Sequence, residues 1–86
     1  MEYDFTKKFW KQYYKLPLKM QKQFDRRFKL FIVDRSDIRL RVHPLKGKYS
    51  GYWSMDVTGD LRVLYQYNGR TIIIFGFIGT HSQLYG

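Results

Sequence analysis

Apolar side chains recur at the helical period in the first third of the chain and at the strand period in the last third. Phe5, Phe9, Tyr13 and Leu16, spaced by four, four and three, draw one helix stripe across residues 6–16. Pro17 stops that helix because it has no amide hydrogen, and it suits the first turn of the next. Met20, Phe24, Phe28, Phe31 and Ile32 repeat the pattern over 18–34, with Lys19, Lys22, Arg26, Arg27 and Lys29 between them. The aromatics read as core. The interleaved basic residues read either as a solvated face or as a contact for RNA or an acidic partner. Residues 1–5 predict a short edge strand.

Residues 35–50 form a basic connection with neither period, containing Leu40-Arg41-Val42-His43-Pro44. Strand signals follow at 52–57, 61–67 and 70–78, separated by Thr58-Gly59-Asp60 and Asn68-Gly69, which predicts an antiparallel meander. An Asn-Gly pair between apolar runs signals a two-residue hairpin turn, where both positions need positive φ. With Asn68 and Gly69 as the loop, Tyr67 faces Arg70, Tyr65 faces Ile72 and Leu61 faces Gly76. Alternation then puts Val63, Tyr65, Ile72, Ile74 and Ile78 on one face, the seat for the helices. Asp60, Arg62, Leu64, Gln66, Phe75 and Phe77 take the other, mixed face, where binding or chemistry belongs. The same geometry sets Asp60 and Asp56 at the end of the meander where the last strand exits into Gly79-Thr80-His81. A strict two-residue turn at Thr58-Gly59 directs Asp56 to the helix face. A wider turn, favoured because Thr resists positive φ, changes that face. The expected class is α+β: a twisted antiparallel sheet of a short N-terminal strand plus a three-stranded meander, with two N-terminal helices packed on one face.

Composition narrows the picture. Eighty-six residues hold one core, so 1–86 is expected to be a single domain. Hydrophobic residues at 44% and aromatics at 20% exclude a generic disordered chain. The absence of cysteine removes disulfides, thiolate nucleophiles and Cys-ligated metals. The formal charge is +9, and all of it arises before residue 49: fourteen Lys and Arg against five acids, then two of each. A polyanion or an acidic partner is expected. Met1-Glu2-Tyr3-Asp4-Phe5 does not read as a signal peptide, and the apolar run at 72–78 falls well short of the ~20 residues that span a bilayer. A cytoplasmic location without membrane contact is expected.

Candidate chemistry is sparse. His43 and His81 are the only histidines, and no HExxH or comparable ligand spacing surrounds them, so neither a metal nor another cofactor is expected. The chain has no nucleophile elbow, no P-loop and no Gly-rich dinucleotide turn. Metal-free RNA scission fits what remains. It needs a base for the 2′-hydroxyl proton, an acid for the leaving 5′ oxygen and a cation for the developing phosphate charge. Imidazole serves as either proton partner near neutrality. Arg62 is the cation on the mixed face, with a cross-strand ion pair as its structural alternative. Trp53, Phe77 and Tyr85 are aromatics placed to stack an unpaired base.

Four segments bear a family resemblance: His43-Pro44-Leu45-Lys46-Gly47, Gly51-Tyr52, Asp60-Leu61-Arg62-Val63-Leu64-Tyr65 and Gly79-Thr80-His81-Ser82-Gln83-Leu84-Tyr85-Gly86. Their order and spacing resemble the RelE/ParE toxin superfamily, most closely its YafQ-type branch. The resemblance covers nearly the whole chain. It implies a RelE-like fold and the toxin of a type II toxin–antitoxin pair, a ribosome-dependent endoribonuclease that cleaves mRNA and is held inactive by a cognate antitoxin. By position, His43, Asp60 and His81 match catalytic residues of YafQ-type toxins, and Tyr85 matches the aromatic near the C-terminus. Two positions depart from the pattern: Asp56 stands where members can carry His, and Phe77 where they can carry Arg. An ionised aspartate accepts a proton but donates poorly.

The leading expectation is therefore an mRNA interferase with His43 and His81 transferring protons. Asp60 orients a histidine or acts as base, Arg62 steadies the phosphate, and Arg39, Arg41, Lys46 and Lys48 hold the RNA backbone. The alternative is a ParE-like toxin that inhibits a protein target by binding, without cutting RNA. In either case an acidic antitoxin segment is expected to be drawn to the basic half.

Overall fold

The computed structural model describes residues 1–86. Strand β1 (Glu2–Phe5) leads into helix α1 (Lys7–Lys15) and helix α2 (Leu18–Val33). The short strand β2 (His43–Pro44), β3 (Trp53–Asp56), β4 (Leu61–Asn68) and β5 (Ile72–Thr80) follow, and helix α3 (His81–Tyr85) ends the chain. The five strands form one sheet in the order β1-β5-β4-β3-β2. The expected meander is antiparallel; the structure adds β1 parallel to β5, β2 as a fifth strand, and α3. No helix is long and apolar enough to cross a membrane.

Local chemistry sets the helix ends. The Thr6 side chain accepts from the Phe9 amide at 3.0 Å and caps α1. Pro17, at φ −55°, separates the helices, and its carbonyl accepts from the Met20 and Gln21 amides to start α2. Phe9, Tyr13, Phe24 and Phe31 are buried as their spacing predicts. Ile32, expected in the same stripe, is 48% exposed, because a residue adjacent to Phe31 turns about 100° away from the core.

The β4–β5 hairpin departs from the expected register. Asn68 stays in the ladder opposite Ile72, and only Gly69 takes a positive φ (67°). The loop is thus Gly69-Arg70-Thr71. Tyr65 pairs with Phe75, whereas Leu64 pairs with Phe77, so Gly76 is an unpaired bulge residue. The three-residue loop sets Ile73 and Phe75 on the face of Tyr65; the bulge after Phe75 turns Phe77 to the opposite side and brings Ile78 back into the helix-side core. Phe75 therefore does not lie on the mixed face, and Ile72 and Ile74 are only half-buried, outside that core.

Phe75 is the hub of the core. Its ring stands 5.0 Å from Phe5, 6.3 Å from Phe9, 5.6 Å from Phe28 and Phe31, and 5.6 Å from Tyr65, joining β1, α1, α2 and β4. A second, smaller cluster of Tyr49, Leu64 and Leu84 lies on the other face, covered by α3 and Tyr52. Beyond Phe75, β5 outruns β1, and α1 closes the edge left open. The Thr6 hydroxyl donates to the Gly76 carbonyl at 3.0 Å, and the Ile78 amide donates to Gln12 Oε1 at 3.0 Å.

Phe75→Ala is expected to cost about 3–5 kcal/mol in chemical denaturation, the usual range for a fully buried phenylalanine. The Tyr13 phenol, buried and donating to Asp25 at 2.9 Å, has its pKa pushed up to about 12 from 10.0, by burial first and by Asp25 second. The unfolded chain ionises first, so this contribution is complete below pH 10 and is lost between 10 and about 12. Tyr13→Phe should flatten the decline of stability across that interval, read by denaturant melts at each pH.

Candidate active site

Cross-strand pairing aligns the sheet face that α1 and α2 leave free. His43 pairs with Ser54, Ser54 with Leu64, and Leu64 with Phe77, while two residues along, Asp56 pairs with Arg62 and Arg62 with Gly79. Opposed residues share a face, so His43, Asp56, Arg62 and Phe77 all look out on the side covered by α3. Asp56 arrives there because the β3–β4 turn is wide. The Val57 and Thr58 amides both donate to the Leu61 carbonyl, and the Thr58 hydroxyl accepts from the Asp60 and Leu61 amides.

Asp56 is nearly buried and lies between two guanidiniums. Arg62 Nη1 donates to Oδ1 at 3.1 Å, and Arg41 Nε stands 3.6 Å from Oδ2. Arg62 thus makes the cross-strand ion pair that was its structural alternative. Its Nη2 makes only a long 3.5 Å contact to the Gly59 carbonyl, and its side chain is 25% exposed, so a donor remains for a ligand. Arg41 is the only non-glycine residue with positive φ (48°), which costs roughly 1–2 kcal/mol. That turn sets its carbonyl 2.9 Å from His43 Nδ1. A carbonyl only accepts, so Nδ1 carries the hydrogen and Nε2 is the free nitrogen of the neutral ring.

The hairpin register puts Leu61 opposite Thr80 rather than opposite Gly76, and this brings Asp60 beside the start of α3. Asp60 Oδ1 accepts from the His81 main-chain amide at 3.3 Å. Thr80 and Gln83 form a reciprocal capping box around that helix start. Within α3 the His81 and Tyr85 rings lie 4.8 Å apart at 30°. The Tyr85 phenol has its pKa raised, by burial first and by Tyr49 second, against an opposing pull from Arg62, and it therefore stays protonated near neutrality.

Asp56, Asp60, Arg62, His81 and Tyr85 thus gather at one end of the sheet. His43 shares the face but stands on the edge strand β2, with β3 and β4 between it and β5. No hydrogen bond or ring contact joins the two imidazoles; the Asp56–Arg62 pair lies between their strands. Phe77 packs with Tyr49 and Tyr52 under this face, and Lys8 Nζ stands 5.1 Å over its ring, which brings a cation to a position without an arginine. Trp53 corrects an expectation: it pairs with Tyr65 and packs against the helix-side core, so it is not beside Arg62. Arg39 is bound to Asp37 by two side-chain contacts of 2.8 and 2.9 Å, and Lys46 and Lys48 are exposed, with Lys48 over the Tyr49 ring.

Tyr49 was not legible as part of the site. It is buried, donates to the Leu84 carbonyl at 2.7 Å and stands 5.3 Å from Tyr85, so it fastens α3 to the sheet. Its stretch lacks any period that would mark it as buried. No three His, Asp or Glu side chains converge closely enough to hold a metal ion.

The chain matches a family model described as bacterial toxin of type II toxin–antitoxin system, YafQ, over residues 1–86. No curated protein sequence matches it. Among solved structures it is similar to YafQ from E. coli strain BL21(DE3), at 22% identity and TM-score 0.81 over 99% of this chain and 98% of that one. It is also similar to the E. coli DinJ–YafQ toxin–antitoxin complex, at 23% identity and TM-score 0.77 over 99% and 97%. The RelBE2 toxin–antitoxin complex from Mycobacterium tuberculosis aligns at 21% identity and TM-score 0.70 over 93% and 96%.

A Cβ on Gly79 would come 3.2–3.4 Å from side-chain atoms of Gln83 and Leu84, tight enough that α3 would have to give by a few tenths of an ångström. Gly79→Val should cost about 1–3 kcal/mol by overpacking. It should shift the NMR signals of His81 and Tyr85 while leaving those of Phe9 and Phe24 in place.

Proposed function

We propose, on the premise that the chain belongs to the YafQ toxins of type II toxin–antitoxin systems, that it is an endoribonuclease cutting mRNA on the ribosome by metal-free acid–base catalysis. The observation that carries this reading is the group of Asp60, His81, Tyr85 and Arg62 around a protonatable ring at one end of an open face. Base and acid of an in-line displacement stand on opposite sides of the phosphorus. Imidazoles flanking one guanidinium suit that requirement.

In this mechanism His43 Nε2 takes the 2′-hydroxyl proton. The oxygen attacks phosphorus, and the P–O5′ bond breaks as His81 gives its proton to the leaving oxygen, leaving a 2′,3′-cyclic phosphate and a 5′-hydroxyl. Arg62 Nη2 and Lys8 offset charge on the phosphate oxygens. Asp60 positions His81 through its main chain, not its ring. The protonated Tyr85 hydroxyl donates to the substrate, and its ring keeps the imidazole in place. Asp56 holds the guanidiniums of Arg62 and Arg41 in position instead of donating a proton. Arg39, Arg41, Lys46 and Lys48 attract the RNA backbone, and Phe77 supports the floor of the site.

The partner proposed on the same basis is a cognate antitoxin whose acidic segment covers this face. The solved DinJ–YafQ and RelBE2 complexes, each a toxin with its antitoxin, support a cognate antitoxin as partner. The site of action is cytoplasmic.

His81→Ala should abolish growth arrest on expression, and cleavage of ribosome-bound mRNA should fall about 10²–10⁴-fold with the far-UV circular dichroism unchanged. Primer extension on mRNA from arrested cells should reveal discrete new 5′ ends. Arrest without such ends would move the reading to inhibition of a protein target.

A further inference from the structure

We propose that a trough of arginines between α2 and the β3–β4 loop carries the phosphodiester backbone of the RNA strand away from the Asp56–Arg62 pair. This deepens the ribonuclease reading and rests on it. Gln23, Arg26, Arg27 and Leu30 lie at positions i, i+3, i+4 and i+7 of α2, one stripe of the helix. Arg39, Val57 and Thr58 form the opposite wall of a cleft of about 510 Å³. A smaller cleft of about 240 Å³ shares Arg27, Arg39, Val57 and Thr58 and adds Arg41, Asp56 and Gly59. The two make one continuous path from the helix face to the carboxylate that holds Arg62.

The uncompensated charge along this path lies on α2, because Arg39 and Arg41 are paired with Asp37 and Asp56. Arg26 makes no ion pair and no side-chain hydrogen bond. Arg27 uses only Nε, which donates to the Val57 carbonyl at 3.2 Å; that bond anchors the stem and leaves both terminal nitrogens for a ligand. Arg39 is fixed in orientation by Asp37, whose carboxyl the arginine holds at a lowered pKa of about 2. With Asp37 and Asp56 offsetting Arg39 and Arg41, Arg26 and Arg27 leave a net positive stretch that attracts an anion. The unoccupied fork of Arg26 and the two terminal nitrogens of Arg27 each match a phosphate with parallel hydrogen bonds. Leu30 and Val57 are the only apolar residues of the larger cleft, too few for the buried anchors by which a peptide docks. A phosphate-bearing strand is therefore favoured over an acidic protein segment.

The test uses the full chain and a fluorescein-labelled single-stranded RNA with every 2′-hydroxyl methylated, so that binding is read without cleavage. Affinity is measured by anisotropy across a KCl series for wild type, Arg26→Gln, Arg26→Gln/Arg39→Gln and Arg70→Gln. Arg70 lies in the β4–β5 loop, at the other end of the sheet from Asp56. Each lost phosphate contact should reduce the slope of log K against log salt by about 0.7, so Arg26→Gln should lower it once and the double variant twice. Arg26→Lys should restore most of the slope, and Arg70→Gln should leave it unchanged. Equal slopes for wild type and Arg26→Gln would overturn the proposal, as would an equal loss in Arg70→Gln. Loss of binding to a polyglutamate peptide in Arg26→Gln, with RNA binding intact, would overturn it in favour of a protein partner. If the slopes fall as expected while His81→Ala still arrests growth, the trough stands and the nuclease reading fails.

Discussion

A single extra residue in β5 organises the molecule. In a regular strand Phe75 and Ile78 would face opposite ways, because three steps of alternation end on the other side. The unpaired Gly76 lets both enter the helix-side core, and it turns Phe77 outward under the opposite face. Glycine at the bulge lets Tyr52 pack closely. A Cβ there would sit 3.3 Å from the Tyr52 ring, which closes over it. The carbonyl that Gly76 withdraws from the ladder is taken by the Thr6 hydroxyl, so the same irregularity docks the start of α1 on the sheet.

Two clusters of unequal size result, and the candidate site sits on the smaller. The aromatic core around Phe75 supplies rigidity on one face. On the other, Tyr49, Leu64 and Leu84 support α3 and the residues it presents. Asp56 buried between Arg41 and Arg62 links β3, β4 and the approach to β2 through charge. Breaking such a pair leaves an uncompensated charge in a partly buried place, so its members constrain each other's orientation. The left-handed Arg41 belongs to this constraint, because its side chain reaches Asp56 while its carbonyl fixes the tautomer of His43.

Much of this was legible in the residues. The periodicity of Phe9, Tyr13, Phe24 and Phe31 marked both helices and their buried stripe, and Pro17 marked the break between them. The strand order within the meander followed from turn residues, and the preference of His43 for extended backbone followed from Pro44. The Asn68-Gly69 pair misled, since Asn68 remained in the ladder and the loop moved on to Gly69-Arg70-Thr71. That shift misplaced Phe75, Ile72 and Ile74, although Asp60 still comes beside His81 at the end of the meander, as the turn residues implied. A bulge is decided by tertiary packing against Tyr52 and Thr6, and neither contact has a local signature. Trp53 was misjudged for a related reason: its face depends on which residue of β4 it meets.

The terminal helix is five residues long, too short to persist by itself in water. It is held by its capping box, Asp60 on the His81 amide, Tyr49 against Leu84 and Tyr85, and the buried Leu84, whereas the rest of the fold hangs on the aromatic hub. Local opening of such a segment requires far less free energy than global unfolding. Opening of the last six residues, His81 and Tyr85 among them, leaves the contacts of the aromatic hub untouched. Local and global stability are separable in this chain, and whatever binds the final turn moves His81 and Tyr85 without touching the aromatic hub.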